Sequence, residues 1–180
     1  LSRGLGDVYK RQITDISKQV SNNLAGNPTS GLHDYQEFID QSLKTEPINL
    51  DKYVQYSDQC YQRVLVYRDS FLEVFVLCWK KGQETPYHLH PERGCIYKIL
   101  RGSLREIVKS PINDTCARVL PTNKCGYIDN TLGSHQMICL TEDSVSIHFY
   151  APPGFYQDSL FVEIESDDKE EDSDCQQKDK

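Results

Sequence analysis

Two histidines one residue apart, His88-Leu-His90, stand inside the run Gly82-Gln-Glu-Thr-Pro-Tyr-His88-Leu-His90-Pro-Glu-Arg-Gly-Cys95, with Gly102 beyond it. Side chains alternate faces along a strand, so only an extended segment can aim both imidazoles at one point. On a helix they would diverge by roughly 200°. An extended His-x-His therefore offers nitrogen donors that suit iron, zinc, copper or nickel. The flanking glycines frame a strand–turn–strand unit, and His135 is a candidate third nitrogen. The bland alternative is two polar side chains at a strand end, each satisfied by backbone. Gly82, Gly102 and His135 in register weigh against it.

The period of the apolar residues changes along the chain. Residues 13–23 carry a helical pattern, and residues 32–43 space Leu32, Tyr35, Phe38, Ile39 and Leu43 at three and four, an amphipathic helix. Residues 50–56 read as a third short helix. After Tyr61 the period is two, and strands are expected over 71–79, 96–100, 104–109, 117–120, 126–128, 136–140 and 145–150, with a tight turn at Arg101-Gly102-Ser103. Helices followed by many short strands predict a mainly β, α+β fold, a double-sheet jelly-roll barrel preceded by N-terminal helices.

At 180 residues the chain is one domain with a sizeable core. Residues 1–12 read unlike the rest and are set apart as a non-native leader; 13–162 form the domain. Residues 163–180 carry nine acidic and three basic side chains and so supply −6 of the net −7. Such a tail is expected to be disordered. The near-neutral body excludes a basic nucleic-acid footprint. No apolar run approaches the roughly 18 residues of a membrane helix, and no signal segment opens the chain. A cytoplasmic monomer with neither membrane nor nucleic-acid partner is expected. The 7 cysteines are odd in number, which opposes a disulfide framework. Cys78 reads as a small core residue, and Cys60, Cys116, Cys125, Cys139 and Cys175 lack zinc-knuckle spacing.

The spacing Gly82, His88-x-His90, Cys95, Gly102 is that of the first cupin motif, with Cys95 where most cupins place a glutamate. The segment from Gly126 to Gly133-Ser-His135 resembles a compressed second motif. Together with Leu77-Cys-Trp79 and Ser146-Ile-His148-Phe-Tyr150-Ala-Pro-Pro153, these blocks resemble cysteine dioxygenase, an iron cupin family that oxidises cysteine to its sulfinic acid. The resemblance spans about residues 61–153.

It implies a catalytic Fe(II) held by His88, His90 and His135; from the residues alone, Glu92 shares their face if the strand continues past Pro91 and is the alternative third ligand, of a two-histidine-one-carboxylate site. It implies substrate contacts at Arg63 and Tyr61, a guanidinium for the substrate carboxylate being the role of Arg63. Ser146, His148 and Tyr150 are implied to form a hydrogen-bond relay. Cys95 and Tyr150 are implied to join in a thioether, a protein-derived cofactor; Cys95 as a plain core residue is the alternative. The implied function is an iron-dependent thiol dioxygenase of cysteine catabolism, on the route to taurine and sulfate, with a small thiol and O2 as partners. Other thiols (3-mercaptopropionate, cysteamine, an N-terminal cysteine) and a non-catalytic metal-binding cupin stand beside it. The chain departs from the animal-type pattern in having no cysteine in Gly154-Phe-Tyr-Gln157, just after the Pro-Pro pair. Trp79 reads as packing, and Tyr67, Tyr87, Tyr97 and Tyr127 as strand-face residues with wet hydroxyls.

Overall fold

The computed structural model describes residues 5–44, 50–112, 114–155 and 162–163. Helix α1 spans Leu5–Gly26; a short 3-10 turn, Leu32–Tyr35, leads into α2, Gln36–Ser42. Nine strands follow among the described residues: β1 Gln62–Arg68, β2 Glu73–Lys80, β3 Cys95–Arg101, β4 Ser103–Lys109, β5 Thr115–Pro121, β6 Cys125–Ile128, β7 Ser134–Cys139, β8 Asp143–Tyr150 and β9 Val162–Glu163. They form a six-stranded sheet, β6-β3-β8-β2-β1-β9, and a three-stranded sheet, β5-β4-β7. Among the described residues only the β1–β9 pair is parallel. This is the jelly roll that the period-two pattern predicts.

The six-stranded sheet is covered on both sides, so its central strands lose the usual in–out polarity. Seven consecutive residues of β2 are buried, and so are seven of β8. One face presents Val74, Val76, Ile96, Val145, Ile147 and Phe149 to Ile13, Val20, Leu24, Leu32 and Ile39 of the helical region. The other presents Phe75, Leu77, Trp79, Tyr97 and Ile99 to Leu104, Leu120 and Met137 of the smaller sheet. Each large side chain so buried contributes about 1.5–3 kcal/mol. At the β3–β4 turn Gly102 has φ +76°, and a Cβ there would lie 2.3 Å from Ser144 Oγ, so only glycine fits.

Arg93 and Lys98 are among the residues whose polar contacts fix the helices to the barrel. Arg93 donates to the carbonyls of Ser30 (2.7 Å), Asn27 (2.8 Å) and Leu24 (3.2 Å), capping the chain where α1 ends. Lys98 Nζ donates to the Asp40 carbonyl at 2.9 Å and to its carboxylate at 2.8 Å.

Several expectations are corrected. Residues 50–56 form a single turn rather than a helix: Tyr53 and Val54 both donate to the Leu50 carbonyl, and the next polar contacts go to Cys78 of β2. Helix α1, Leu5–Gly26, is longer at both ends than the helical pattern over 13–23. Strands β1 and β9 were not anticipated as elements. The rest of the acidic tail, with Cys175, lies outside the described residues. The other cysteines are free thiols.

Candidate active site

His88, His90 and His135 converge from two segments. The His-x-His run is extended but is not a continuous strand; isolated bridges pair Glu84 with Ile138 and His88 with His135. Reciprocal backbone bonds of 3.1 and 3.2 Å lock His88 to His135. His135 lies within β7 rather than in an irregular lead-in to it. Gly133, two residues before, has φ +118°, and a Cβ there would meet the Lys109 carbonyl oxygen at 2.0 Å. Asn130 brackets the His90 backbone, accepting from its N–H at 2.8 Å and donating to its carbonyl at 3.0 Å.

His135 Nε2 lies 3.1 Å from both His88 Nε2 and His90 Nε2. Three groups' ligand atoms thus lie within 4.8 Å of one another, and no other such cluster occurs among the described residues. With both rings neutral, the His88–His135 approach is not a hydrogen bond. His88 Nδ1 faces the Pro86 carbonyl at 3.0 Å and His135 Nδ1 faces the Glu106 carboxylate at 2.8 Å. Both acceptors require a proton on Nδ1, which in a neutral ring leaves Nε2 a lone pair. Two lone pairs at this distance repel unless a cation stands between them. Two nitrogens about 2.1 Å from one ion and at right angles to each other stand about 3 Å apart, so the geometry fits a metal.

The electrostatics fit as well. Burial, then the neighbouring His135, holds His88 down to about 4; burial, then His135 and His88, holds His90 down to about 2. Neutral imidazoles ready to ligate are the result. Burial alone would raise the Glu106 carboxyl, but bonds from His135 and Tyr97 and the charge of Arg118 bring it below its usual range.

A cavity of about 130 Å³ opens beside the cluster, lined by Tyr61, Arg63, Trp79, His88, His148 and Tyr150 among others. Arg63 is 7% exposed, its guanidinium 4.4 Å over the Phe75 ring. Tyr61 stacks on Trp79 with ring centroids 4.5 Å apart. Trp79 does more than pack: its Nε1 donates to Ser146 Oγ at 3.0 Å, Ser146 Oγ lies 2.9 Å from His148 Nε2, and His148 Nδ1 lies 3.3 Å from the Tyr150 hydroxyl. Alternation along β8 puts Ser146, His148 and Tyr150 on one face. Cys95 and Tyr150 are direct cross-strand partners on β3 and β8. Burial pushes the Cys95 thiol well up, against an opposing hydrogen bond with Tyr150.

The structure therefore brings together all nine residues singled out from sequence. Glu92 is not among them; the chain turns at Pro91–Gly94 and leaves it exposed. Tyr97 is fully buried rather than wet, its hydroxyl 2.6 Å from Glu106. Glu106 and its partner Arg118 went unnoticed in the sequence. The available signal was a carboxylate at an inward position between Leu104 and Val108.

Comparison with known proteins agrees with this geometry. The family model described as "Cysteine dioxygenase type I" matches residues 13–159. Human "Cysteine dioxygenase type 1" is 27% identical over 153 residues, covering 79% of this chain and 76% of that protein. The Danio rerio protein of the same description is 30% identical over 124 residues, covering 63% of this chain and 62% of its own. Among solved structures, an uncharacterized conserved Klebsiella pneumoniae protein with a double-stranded β-helix domain superposes with a TM-score of 0.51 at 19% identity. That match covers 58% of this chain and 87% of that one, and it speaks for the cupin-type fold alone.

Proposed function

The chain belongs to the cysteine dioxygenase type I family, and from that premise we propose that it oxidises free L-cysteine with O2 to cysteine sulfinic acid at an Fe(II) held by His88, His90 and His135. The observation that carries the reading is the single small cavity onto which His88, Arg63 and Tyr150 all open. At about 130 Å³ it is well below the size of sites for drug-sized ligands and matches a small metabolite.

When bound, Fe(II) supplies open coordination positions and the redox chemistry for O2. The side chains do the rest. Arg63 holds the substrate carboxylate, a pairing its planar fork can make through both oxygens. Tyr61, stacked on Trp79, walls the substrate in. The Trp79 indole can only donate, so Ser146 is free to pass its own hydrogen to His148 Nε2. His148, kept neutral by burial, then donates from Nδ1 to the Tyr150 oxygen. The phenol, which also hydrogen-bonds with Cys95, lines the cavity where the reacting atoms would sit. The reaction balances without a co-substrate: sulfur loses four electrons, O2 gains four, and both oxygens end on sulfur.

The cross-strand placement of Cys95 and Tyr150 supports a thioether between them. Forming the carbon–sulfur bond removes one hydrogen from each, with O2 as the oxidant.

Iron-loaded protein offered a panel of thiols tests the reading. Cysteine should yield the sulfinic acid, and Arg63→Ala should raise its KM about 10- to 200-fold, the worth of a lost charge-assisted contact of about 1.5–3 kcal/mol. Cysteamine, lacking a carboxylate, should be affected far less. Iron binding with no oxygen uptake on any thiol would leave a metal-binding cupin instead. Preference for cysteamine or an N-terminal cysteine peptide would move the substrate, not the chemistry. The turned-over protein should also lose about 2 Da of intact mass through the thioether; an unchanged mass removes the cross-link and leaves the dioxygenase.

A further inference from the structure

The three imidazoles are held in three different ways. His88 Nδ1 meets a backbone carbonyl, His135 Nδ1 meets a carboxylate, and His90 Nδ1 is buried without a partner among the described residues. The carboxylate is itself tightly framed. Glu106 lies on β4 with Arg118 of β5 directly opposite and its side chain wholly buried. Its Oε2 accepts from Arg118 Nε at 2.6 Å; its Oε1 accepts from the Tyr97 hydroxyl at 2.6 Å. Arg118 Nη2 also donates to the Tyr97 oxygen at 2.9 Å.

The donors and acceptors of this cluster admit one arrangement. A guanidinium only donates, so Oε2 must be an acceptor, and the Tyr97 oxygen, already accepting from Arg118, must send its hydrogen to Oε1. With Oε1 an acceptor on both sides, His135 Nδ1 must carry its hydrogen, and in the neutral ring that can ligate a metal Nε2 then carries none. Half of the Arg118 side chain reaches solvent, so its cation balances the buried carboxylate without being fully desolvated itself.

We propose that Glu106, oriented by Arg118 and Tyr97, is a positioning residue that fixes His135 in the tautomer presenting Nε2 to the metal. The proposal rests on the three-histidine reading above. It makes His135 the most strongly supported of the ligands, since a carboxylate behind a ligating imidazole both orients the ring and strengthens its donor nitrogen.

Glu106→Gln supplies the test because it changes the hydrogen-bond polarity and not the shape. Arg118 would draw the amide oxygen to its own side, turning the NH2 toward His135. That selects the opposite tautomer, with a hydrogen on Nε2 aimed at the metal. Fe(II) affinity, read by competition with a chelator under anaerobic conditions, should fall about 10- to 100-fold, the usual range for such partners. Adding Arg118→Met releases the amide, lets its oxygen face His135 again, and should restore at least half of the loss on a logarithmic scale. A merely structural Glu106 would make the double variant weaker than the single one, and that result overturns the proposal. So does a Glu106→Gln affinity within about twofold of wild type. Should the variants fail to fold, nitrogen chemical shifts of the imidazoles in the metal-free wild type decide it: His135 protonated on Nε2 sinks the idea. Failure of the wild type to bind Fe(II) at all would instead sink the three-histidine reading.

Discussion

Strand β8 lives in two environments that share only their burial. Val145, Ile147 and Phe149 face the helices among other apolar side chains, whereas Ser146, His148 and Tyr150, one residue out of step, face the cavity. The first face is held by apolar area removed from water. The second is held by a connected chain of hydrogen bonds from Trp79 to Tyr150, since a buried polar atom is tolerable only when paired. Burial therefore says where a residue sits and not what kind of residue can sit there. A slip of one residue in register would exchange the two sets and ruin both faces.

Acid should break this symmetry from one side, and that is the largest effect expected. His88 and His90 are both held well below 6.5, His88 to about 4 and His90 to about 2, first by burial and then by the imidazoles beside them. Above pH 6.5 neither the folded nor the unfolded chain carries these protons, so stability is flat. Below it the unfolded chain takes up protons that the folded one refuses, and metal-free protein loses about 1.4 kcal/mol per pH unit for each histidine. The loss continues until the folded value is reached, near 4 for His88. Glu106, depressed beneath the ordinary carboxylate range, stays ionised through the upper part of this window. Urea unfolding between pH 7.5 and 5 should show the midpoint falling steadily. A flat midpoint would mean that the three-histidine pocket is wetter than its burial indicates.

A pair of substitutions on β8 sharpens the contrast. Phe149→Ala on the helix side should cost about 3–5 kcal/mol, the range for emptying a buried aromatic position. Its Fe(II) affinity should be unchanged wherever the protein remains folded. Ser146→Ala, three residues away on the cavity side, should cost about 1–3 kcal/mol, because the Trp79 indole N–H and His148 Nε2 both lose their partner. Turnover with cysteine should fall out of proportion to that loss. Chemical denaturation and steady-state rates read both; a Phe149→Ala protein that loses iron, or a Ser146→Ala protein that keeps full turnover, would erase the division between the faces.

The same division explains what could be read from the chain. The strands of the smaller sheet and the His-x-His segment were legible because period-two alternation and glycine punctuation are local. Residues 50–56 misled because Leu50, Tyr53 and Val54 have helical spacing; the spacing instead serves burial against β2, where the Cys78 thiol donates to the Tyr53 carbonyl at 3.3 Å. Tyr97 gave no sign of being dry, since its partner Glu106 is reached only through the barrel. Glu106 itself was hidden for the same reason. A charged residue at an inward position makes sense only once sheet register sets Arg118 opposite and His135 diagonal to it. Glu92 looked eligible until the turn at Gly94 took it to the surface.

The smallest effect concerns a cation buried on the helix side. Lys98 is wholly buried on β3, next in the ladder to Ile147 and beneath α2, and its ammonium is held by the Asp40 carbonyl and carboxylate. Asp40 is not stranded with it: the carboxylate is 19% exposed and Lys44 donates to it at 2.5 Å. The two partners are therefore unequal. Lys98→Met keeps the buried stem and removes an ammonium whose desolvation is costly, while Asp40 retains Lys44 and solvent. Stability should stay within about 1 kcal/mol of wild type, in keeping with buried ion pairs that apolar residues replace at little cost. Asp40→Asn does the reverse, leaving a buried cation with a weaker acceptor, and should cost more than Lys98→Met. Thermal or urea unfolding of the two variants decides the order. If Lys98→Met proves the more damaging, the ammonium is a pin that aligns α2 on the sheet, and the helix side depends on a polar contact as the cavity side does.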